Sequence, residues 1–254
     1  MTNIRLEYSR EYITGYPNYH QISDLGVTQF EHCYDQGLLN YILQEANRIK
    51  ASHSEMRQLN LNYIRDAASF IPEINELFNS AERIERAQDI AGTKLEPYPI
   101  SVISSIITFT SPSPNDGAIT WHADGVPVTE LIPLEIFNPV GGELELYRGS
   151  ADEGLSKVHK GQSIAPEKII QVKHQEGYSV LGQLMRLMHR VNPMTQGHRT
   201  TLNLNFRSAI KPFIDDNSMC YLAADNPDFS WQEKYIEDVR EKQLPAYMNS
   251  LKRG

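Results

Sequence analysis

The chain has 254 residues, of which 40% are hydrophobic, and a formal net charge of -8 at pH 7. This hydrophobic content suffices for one buried core, and the acidic balance argues against a nucleic-acid partner, which would need a basic surface. Because no apolar run approaches the length of a membrane span and the first residues are charged, we expect neither a membrane partner nor a signal peptide. Cys33 and Cys220 lack metal-type spacing and are typical of reduced thiols in a cytoplasmic protein.

The first 97 residues predict a largely helical support layer. Residues 1–26 mix Tyr, Pro and Gly with short apolar pairs, which indicates an early strand or an irregular packing segment. Downstream of this segment, apolar residues recur at helical spacing and predict helices at residues 27–52, 62–70 and 72–88.

The period of the hydrophobic pattern changes near residue 99. β-Branched residues at 100–110 predict a buried strand, a turn or loop follows at 111–117, and the polar residues 149–167 predict a further loop. Other short apolar segments predict strands at residues 129–137, 143–148, 169–173, 177–181, 187–191 and 200–208. About eight strands separated by turns indicate a mainly β protein with flanking helices, a cupin-like double-stranded β-helix or jelly roll.

The last part of the chain predicts a helical tail. Residues 209–254 are first acidic and then helical from Trp231 to about Ser250, and we expect this tail to pack on the barrel. The sequence thus predicts one domain over residues 1–254, with residues 98–208 as its jelly-roll core.

Two residues of the predicted core have the spacing of metal ligands. His122 and Asp124 are two positions apart, and residues i and i+2 of an extended segment point to the same face. An imidazole and a carboxylate placed in this way can bind one ion, although the pattern is also common in polar loops. A second histidine from elsewhere would complete the facial triad of two His and one carboxylate that is typical of non-haem Fe(II) oxygenases.

The candidates for this third ligand are the histidines after Asp124, namely His159, His174, His189 and His198. A diacid cosubstrate would need a cation near the metal on a neighbouring strand. Only His189 is followed ten positions later by a basic residue, Arg199. Arg199 opens an alternating run, which predicts a strand with one polar face formed by Arg199, Thr201, Asn203 and Asn205.

The residues that carry a family resemblance are, in chain order, His122, Asp124, His189 and Arg199. Their order and spacing resemble those of the Fe(II)- and 2-oxoglutarate-dependent dioxygenases, and residues 141–147 and 176–181 are similar to core strands of that family. The resemblance covers about residues 100–208, less than half of the chain. The chain length, the helical first half and the interval between the two histidines are similar to the small enzymes that hydroxylate or chlorinate free amino acids.

This resemblance implies that His122, Asp124 and His189 bind Fe(II) and leave positions open for 2-oxoglutarate and O2. Arg199 would bind the far carboxylate of 2-oxoglutarate, and Thr201 could add a hydroxyl. The reaction implied is hydroxylation of an unactivated C–H bond, coupled to the decarboxylation of 2-oxoglutarate to succinate. Related chlorinating enzymes carry Gly or Ala in place of the carboxylate, so Asp124 favours hydroxylation over halogenation, while desaturation stays open.

Four residues are candidates for contact with the substrate: Arg65, Asn203, Asn205 and Trp231. Arg65 is either a clamp for a substrate carboxylate, the part that an Arg of the N-terminal half plays in the amino-acid-modifying enzymes, or a helix-surface residue paired with a neighbour. Asn203 and Asn205 either contact the substrate or bind barrel backbone. Trp231 either closes the substrate pocket or packs in the core or at the surface.

The sequence therefore favours a hydroxylase that acts on a small molecule, a free amino acid or a related carboxylate metabolite, and leaves a homodimer open. One alternative is an oxygenase, desaturase or halogenase-related enzyme of the same fold that acts on another substrate class. A second alternative is a non-catalytic, cupin-type ligand-binding protein, which would have no reason to keep a diacid clamp at Arg199.

Overall fold

A computed structural model describes residues 2–17, 22–57, 61–112 and 119–252. Within these residues the strands are β1 (Ile4–Ser9), β2 (Leu25–Glu31), β3 (Glu55–Arg57), β4 (Leu61–Arg65), β5 (Leu95–Pro97), β6 (Ser105–Thr110), β7 (Ile119–His122), β8 (Val128–Val140), β9 (Leu144–Tyr147), β10 (Ile169–Val172), β11 (Tyr178–Gly182), β12 (His189–Val191) and β13 (Gln196–Ser208). The α-helices are α1 (Arg10–Thr14), α2 (Gln36–His53), α3 (Ala67–Phe70), α4 (Ile74–Phe78), α5 (Ala81–Ala91), α6 (Ser101–Ser104), α7 (Ala151–His159), α8 (Met219–Asp225), α9 (Gln232–Asp238) and α10 (Leu244–Leu251).

The strands form two antiparallel sheets. The larger sheet has the order β1-β2-β11-β8-β13-β6-β4-β3, with β5 also paired to β13, and the smaller sheet has the order β10-β9-β12-β7. An apolar cluster that includes Val27 and Val180 of the larger sheet and Leu144 and Leu146 of the smaller sheet joins the two. This arrangement, with helices around it, is the jelly-roll fold that the sequence predicts.

The two faces of strand β13 have different surroundings: one packs against helices and the other lines a cavity. Leu202 and Leu204 are fully buried and belong to the same apolar cluster as Ile42 of α2. Since successive side chains of a strand point to opposite faces, Thr201 and Asn203 lie on the other face, where they line a cavity. The alternation predicted for this strand is therefore present in the structure.

Helix α2 begins later than its hydrophobic pattern predicts. Asp35 caps it by accepting a hydrogen bond from the Leu38 backbone N–H at 2.7 Å, and the first helical residue is Gln36. The preceding residues form β2, between β1 and β11, and all of them except Glu31 are buried. A strand that is buried on both faces does not alternate between polar and apolar residues, so the sequence pattern predicts these residues as part of the helix.

Two other helix predictions in the first half are wrong. The residues predicted as a helix at 62–70 are divided between β4, which pairs with β6, and the short helix α3. The helix predicted at 72–88 is divided into α4 and α5, because Ser80 starts a new helix by accepting from the Arg83 backbone N–H at 3.3 Å. The first 97 residues thus supply strands of the larger sheet as well as helices, and are more than a helical layer.

The second half also departs from prediction in three places. The predicted loop at 149–167 contains α7, whose first turn is capped by Ser150. The segment 100–110 opens with the short helix α6 before it becomes β6. The tail contains α8 in addition to α9 and α10, which occupy the predicted helical region. Most of the predicted turn at 111–117 lies outside the described residues.

Among the described parts of the chain, no helix is both long enough and apolar enough to cross a membrane.

Candidate metal centre

A pair of strands in the smaller sheet brings two histidines together. His122 ends β7, His189 begins β12, and the two residues are direct antiparallel partners. Asp124 follows two residues after His122 and forms a single bridge with Met185. Its Oδ1 lies 3.4 Å from Nε2 of His122 and 3.6 Å from Nε2 of His189. One ligand atom from each of the three residues lies within 4.8 Å of the others, as a common metal ion requires.

Backbone carbonyls fix the orientation of both imidazoles. Nδ1 of His122 lies 2.8 Å from the carbonyl oxygen of Thr120, and Nδ1 of His189 lies 2.8 Å from that of Leu187. A carbonyl only accepts, so each Nδ1 carries the hydrogen and each Nε2 of a neutral ring presents its lone pair. The two Nε2 atoms and the Asp124 oxygen therefore present electron pairs within 4.8 Å of one another, and a carbonyl that holds the other ring nitrogen is usual for metal-binding histidines.

The charge states at this site also suit a cation. Burial and the neighbouring His122 lower the pKa of His189 to about 4, which keeps its ring neutral at pH 7. Burial opposes ionisation of Asp124, but the two histidines outweigh it and lower the pKa of this carboxyl. Burial also opposes protonation of His122, but the hydrogen bond and charge of Asp124 outweigh it and raise its pKa. A proton shared by His122 and Asp124 is what a bound metal ion would replace.

The donor set itself indicates which ions fit. Two imidazole nitrogens and one carboxylate oxygen suit Fe(II) and other first-row divalent ions, and three protein ligands leave further positions of an octahedral ion for small molecules. Among the described residues, His122, Asp124 and His189 are the group with the composition and spacing of a metal site.

The three residues line a cavity of about 210 Å³ between the sheets. Arg199 and Thr201 of β13 line the same cavity, as do apolar residues such as Leu131 and Leu184. The sequence prediction required His189 to be inside the protein and Arg199 to share its cavity. Both conditions are met, since these residues are only 5% and 6% exposed.

Arg199 is a buried cation that forms no ion pair among the described residues, although the charge of Glu143 favours its ionised form. Its Nε donates to Oγ1 of Thr201 at 3.2 Å and its Nη1 donates to the carbonyl oxygen of Gly142. No carboxylate in residues 2–17, 22–57, 61–112 or 119–252 forms an ion pair with it, and burial lowers the pKa of Arg199 to about 10. A buried charge is costly unless it is paired, so the guanidinium suits an anion that enters the cavity.

Arg65 lies in the cavity wall and is also paired. It is part of the strand β4, so it is not a helix-surface residue. Its Nη2 lies 3.2 Å from Oδ2 of Asp225, and its Nη1 donates to Oδ1 of Asn226 at 2.5 Å. These partners come from the end of α8, far along the chain, and are not neighbours in sequence.

Asn203 and Asn205 both line the cavity. Nδ2 of Asn205 donates to the carbonyl oxygen of Ile103 at 2.5 Å, which fixes the orientation of that amide. The Oδ1 atoms of both residues are buried and have no hydrogen-bond donor among the described residues. Backbone bonding therefore accounts for only part of their hydrogen-bonding capacity, and a ligand with donor groups would complete it.

Trp231 packs in the core, one of the alternatives that the sequence left open, and does not line the cavity as a substrate-binding residue would. It is 2% exposed and packs in an apolar cluster with Tyr98 and Leu222, away from the residues that line the cavity. Its Nε1 donates to the backbone carbonyl oxygen of Asn226 at 3.0 Å. Because Asn226 binds Arg65, Trp231 supports the cavity wall from behind.

Several cavity residues were not found from the sequence: His174, Asn217, Tyr221 and Asp225. His174 was weighed only as a metal ligand, and no basic residue follows it at the required spacing. The other three belong to the tail, at or near α8, whose cap residue Ser218 was the one local signal available.

Comparison of sequences gives no relative: no family model matches the chain. No curated protein matches it significantly either.

Solved structures do match the fold. SnoK, a non-heme alpha ketoglutarate dependent carbocyclase from nogalamycin biosynthesis, has a TM-score of 0.57 at 16% identity, over 80% of this chain and 85% of SnoK. SnoN, the epimerase of the same biosynthesis, gives 0.55 at 17% identity, over 73% and 79%. HygX from Streptomyces hygroscopicus, solved with nickel and 2-oxoglutarate, gives 0.55 at 12% identity, over 72% and 83%. The chain therefore has the fold found in non-haem, 2-oxoglutarate-dependent enzymes.

Proposed function

We propose that this protein is an Fe(II)- and 2-oxoglutarate-dependent oxygenase that hydroxylates an unactivated C–H bond of a small free amino acid or a related carboxylate metabolite. The observation that carries the proposal is the convergence of His122, Asp124 and His189 in one cavity with Arg199, a buried cation that forms no ion pair with any described carboxylate. The similar folds of SnoK, SnoN and HygX support the same class of chemistry.

Each group has a separate task in this proposal. His122, Asp124 and His189 would hold Fe(II), and the chemistry supplied there would be the reduction of O2, with one oxygen atom passing to succinate as 2-oxoglutarate loses CO2 and the other passing to the substrate. Arg199 binds the far carboxylate of 2-oxoglutarate, and Thr201 holds the guanidinium through the 3.2 Å bond to its Nε. Apolar cavity residues, such as Leu131, keep bulk water from the reacting groups.

The cavity wall supports an amino acid as the substrate class. Arg65 and Asp225 present a cation and an anion side by side, and the Oδ1 atoms of Asn203 and Asn205 add acceptors without donors. A zwitterion complements this wall, with its carboxylate at Arg65 and its ammonium at Asp225 and the amide oxygens. The cavity volume of about 210 Å³ also favours small molecules over peptides or nucleotides.

Hydroxylation is favoured over halogenation because the carboxylate is in place. Asp124 lies within 3.6 Å of both histidine Nε2 atoms, so it occupies the third protein position that a halide would need.

The test is turnover of a panel of free amino acids. Purified protein is loaded with Fe(II) without O2, then given 2-oxoglutarate, O2 and each amino acid, and succinate and product mass are measured. We expect succinate together with a product heavier by one oxygen atom, whereas loss of two hydrogens would indicate desaturation. Asp124→Ala serves as the inactive control. A wild-type protein that neither binds 2-oxoglutarate nor forms succinate would contradict the proposal and favour a non-catalytic, cupin-type binder.

A further inference from the structure

His174 is a half-buried cavity residue whose Nδ1 atom has no hydrogen-bond partner among the described residues. It lies between β10 and β11 and lines the cavity that also contains Arg199. Its Nδ1 is shielded from solvent, and no described residue donates to it or accepts from it. Buried ring nitrogens are rarely left unpaired in folded proteins, so this atom points to a ligand.

His174 and Arg199 line the same cavity, and the charge of Arg199 acts on the imidazole of His174. Burial and the positive charge of Arg199 lower the pKa of His174 well below its usual value, so the ring is neutral at physiological pH. A neutral imidazole still carries one N–H, and with no competing partner the hydrogen is free to reside on Nδ1. His174 can thus donate a hydrogen bond beside Arg199 without adding a second buried positive charge.

Arg199 by itself leaves part of a bound carboxylate without donors. Two of its N–H groups are already used, one by Oγ1 of Thr201 and one by the carbonyl oxygen of Gly142. A carboxylate has two oxygens with about four acceptor sites, more than the remaining guanidinium hydrogens on one edge supply.

We propose that Nδ1–H of His174 is the second donor, beside Arg199, to the distal carboxylate of a 2-oxo diacid, so that this pair selects a diacid cosubstrate over a 2-oxo monoacid. This inference rests on the proposed function, and it adds a residue that determines cosubstrate specificity. His174 lies on the loop that joins β10 of the smaller sheet to β11 of the larger sheet, whereas Arg199 lies on β13.

Binding of two 2-oxo acids tests the inference without relying on turnover. The dissociation constants of 2-oxoglutarate and 2-oxobutyrate, which lacks the distal carboxylate, are measured by calorimetry with Fe(II) and without O2. His174→Phe removes the donor and keeps a ring, and it should weaken 2-oxoglutarate binding about tenfold or more while leaving 2-oxobutyrate binding unchanged. The exposed His159 of α7 provides the matched control, since His159→Phe should change neither constant.

Two amide variants distinguish a hydrogen-bond donor at the Nδ1 position from a polar side chain with its donor elsewhere. The Asn amide nitrogen reaches the Nδ1 position, whereas that of Gln reaches the Nε2 position. His174→Asn should therefore retain most of the preference for the diacid, and His174→Gln should lose it. This comparison carries the test even where His174→Phe fails to fold.

Each outcome of these measurements either supports or overturns the proposed role of His174. Equal weakening of both acids, no change in either, or equal rescue by Asn and Gln would overturn the role of His174 while the proposed function stands, because the wild type still binds 2-oxoglutarate. If the wild type binds neither acid, the proposed function fails and this inference fails with it.

Discussion

His122 and His189 face each other across an antiparallel strand pair, with ring centroids 4.3 Å apart. The two residues are 67 positions apart in the chain, and only the register of β7 against β12 makes them neighbours. Because side chains of a strand alternate between faces, a slip of one residue would turn one imidazole away from the other. The metal site is therefore a property of the sheet as much as of its three ligands.

Removal of the carboxylate should abolish strong metal binding. Asp124→Asn keeps the size of the side chain but removes the anionic ligand, and we expect the affinity for Fe(II) to fall by at least about a hundredfold. Metal content after dialysis and a competition titration measure this. Asp152→Asn, at an exposed position in the first turn of α7, is the matched control. Unchanged affinity in Asp124→Asn would exclude Asp124 as a ligand.

Arg199→Met should stabilise the ligand-free protein and weaken the binding of the cosubstrate. The guanidinium is buried without a carboxylate partner among the described residues, so replacing it by an apolar side chain of similar length should raise the free energy of unfolding of the ligand-free protein by about 1 kcal/mol or more. The same variant should weaken 2-oxoglutarate binding by about thirtyfold or more. Thermal melts and calorimetry measure the two effects. A variant that is destabilised and still binds 2-oxoglutarate would show that Arg199 is structural.

Stability of the metal-free protein should depend on pH through His189. The pKa of His189 is about 4 in the folded state against 6.5 for an unperturbed His, so the unfolded chain binds more protons between these values. The contribution of His189 to stability is therefore complete above pH 6.5 and is lost as the pH falls toward 4, by up to about 3 kcal/mol. Denaturant unfolding with a chelator, from pH 7 to pH 4, should show this loss.

The control for this pH effect is His189→Gln, which cannot titrate. Its unfolding free energy should fall less between pH 6.5 and pH 4 than that of the wild type. Parallel curves for the two proteins would show that other groups cause the acid sensitivity.

Arg65 and Asp225 should act on the substrate and leave the cosubstrate unaffected. Arg65→Ala removes the proposed carboxylate contact and should raise KM for the amino acid by about thirtyfold, with an unchanged dissociation constant for 2-oxoglutarate. Asp225→Asn should raise the same KM by weakening the ammonium contact. Arg48, which pairs with Glu45 on the surface of α2, supplies the control Arg48→Ala. An altered melting temperature with normal KM would mean that Arg65 only joins β4 to α8.

Local patterns predicted much of the candidate site. The spacing of His122 and Asp124, and the alternation along β13, follow from the two-residue period of an extended chain, which any sequence displays directly. The choice of His189 rested on Arg199 ten positions later, and the structure brings both residues into one cavity with His122. The predicted roles of these residues remain to be tested by the experiments above.

Patterns failed where burial or long-range packing overrode local signals. The sequence pattern predicts helices where β2 and β4 lie, since β2 is buried on both faces and β4 is identified only by its pairing with β3 and β6. Of the two roles that the sequence leaves open for Trp231, the structure shows core packing behind the pocket.

By itself, the sequence determined the jelly-roll class, the pair of ligands at His122 and Asp124 and the polar face of β13, because each depends on residues a few positions apart. The tertiary structure alone decided that His174 shares a cavity with Arg199 and that Asp225 pairs with Arg65, because sheet order and the docking of α8 bring these distant segments together. The local periodicity of the sequence does not predict such contacts, since they form only when distant segments pack together in the folded chain.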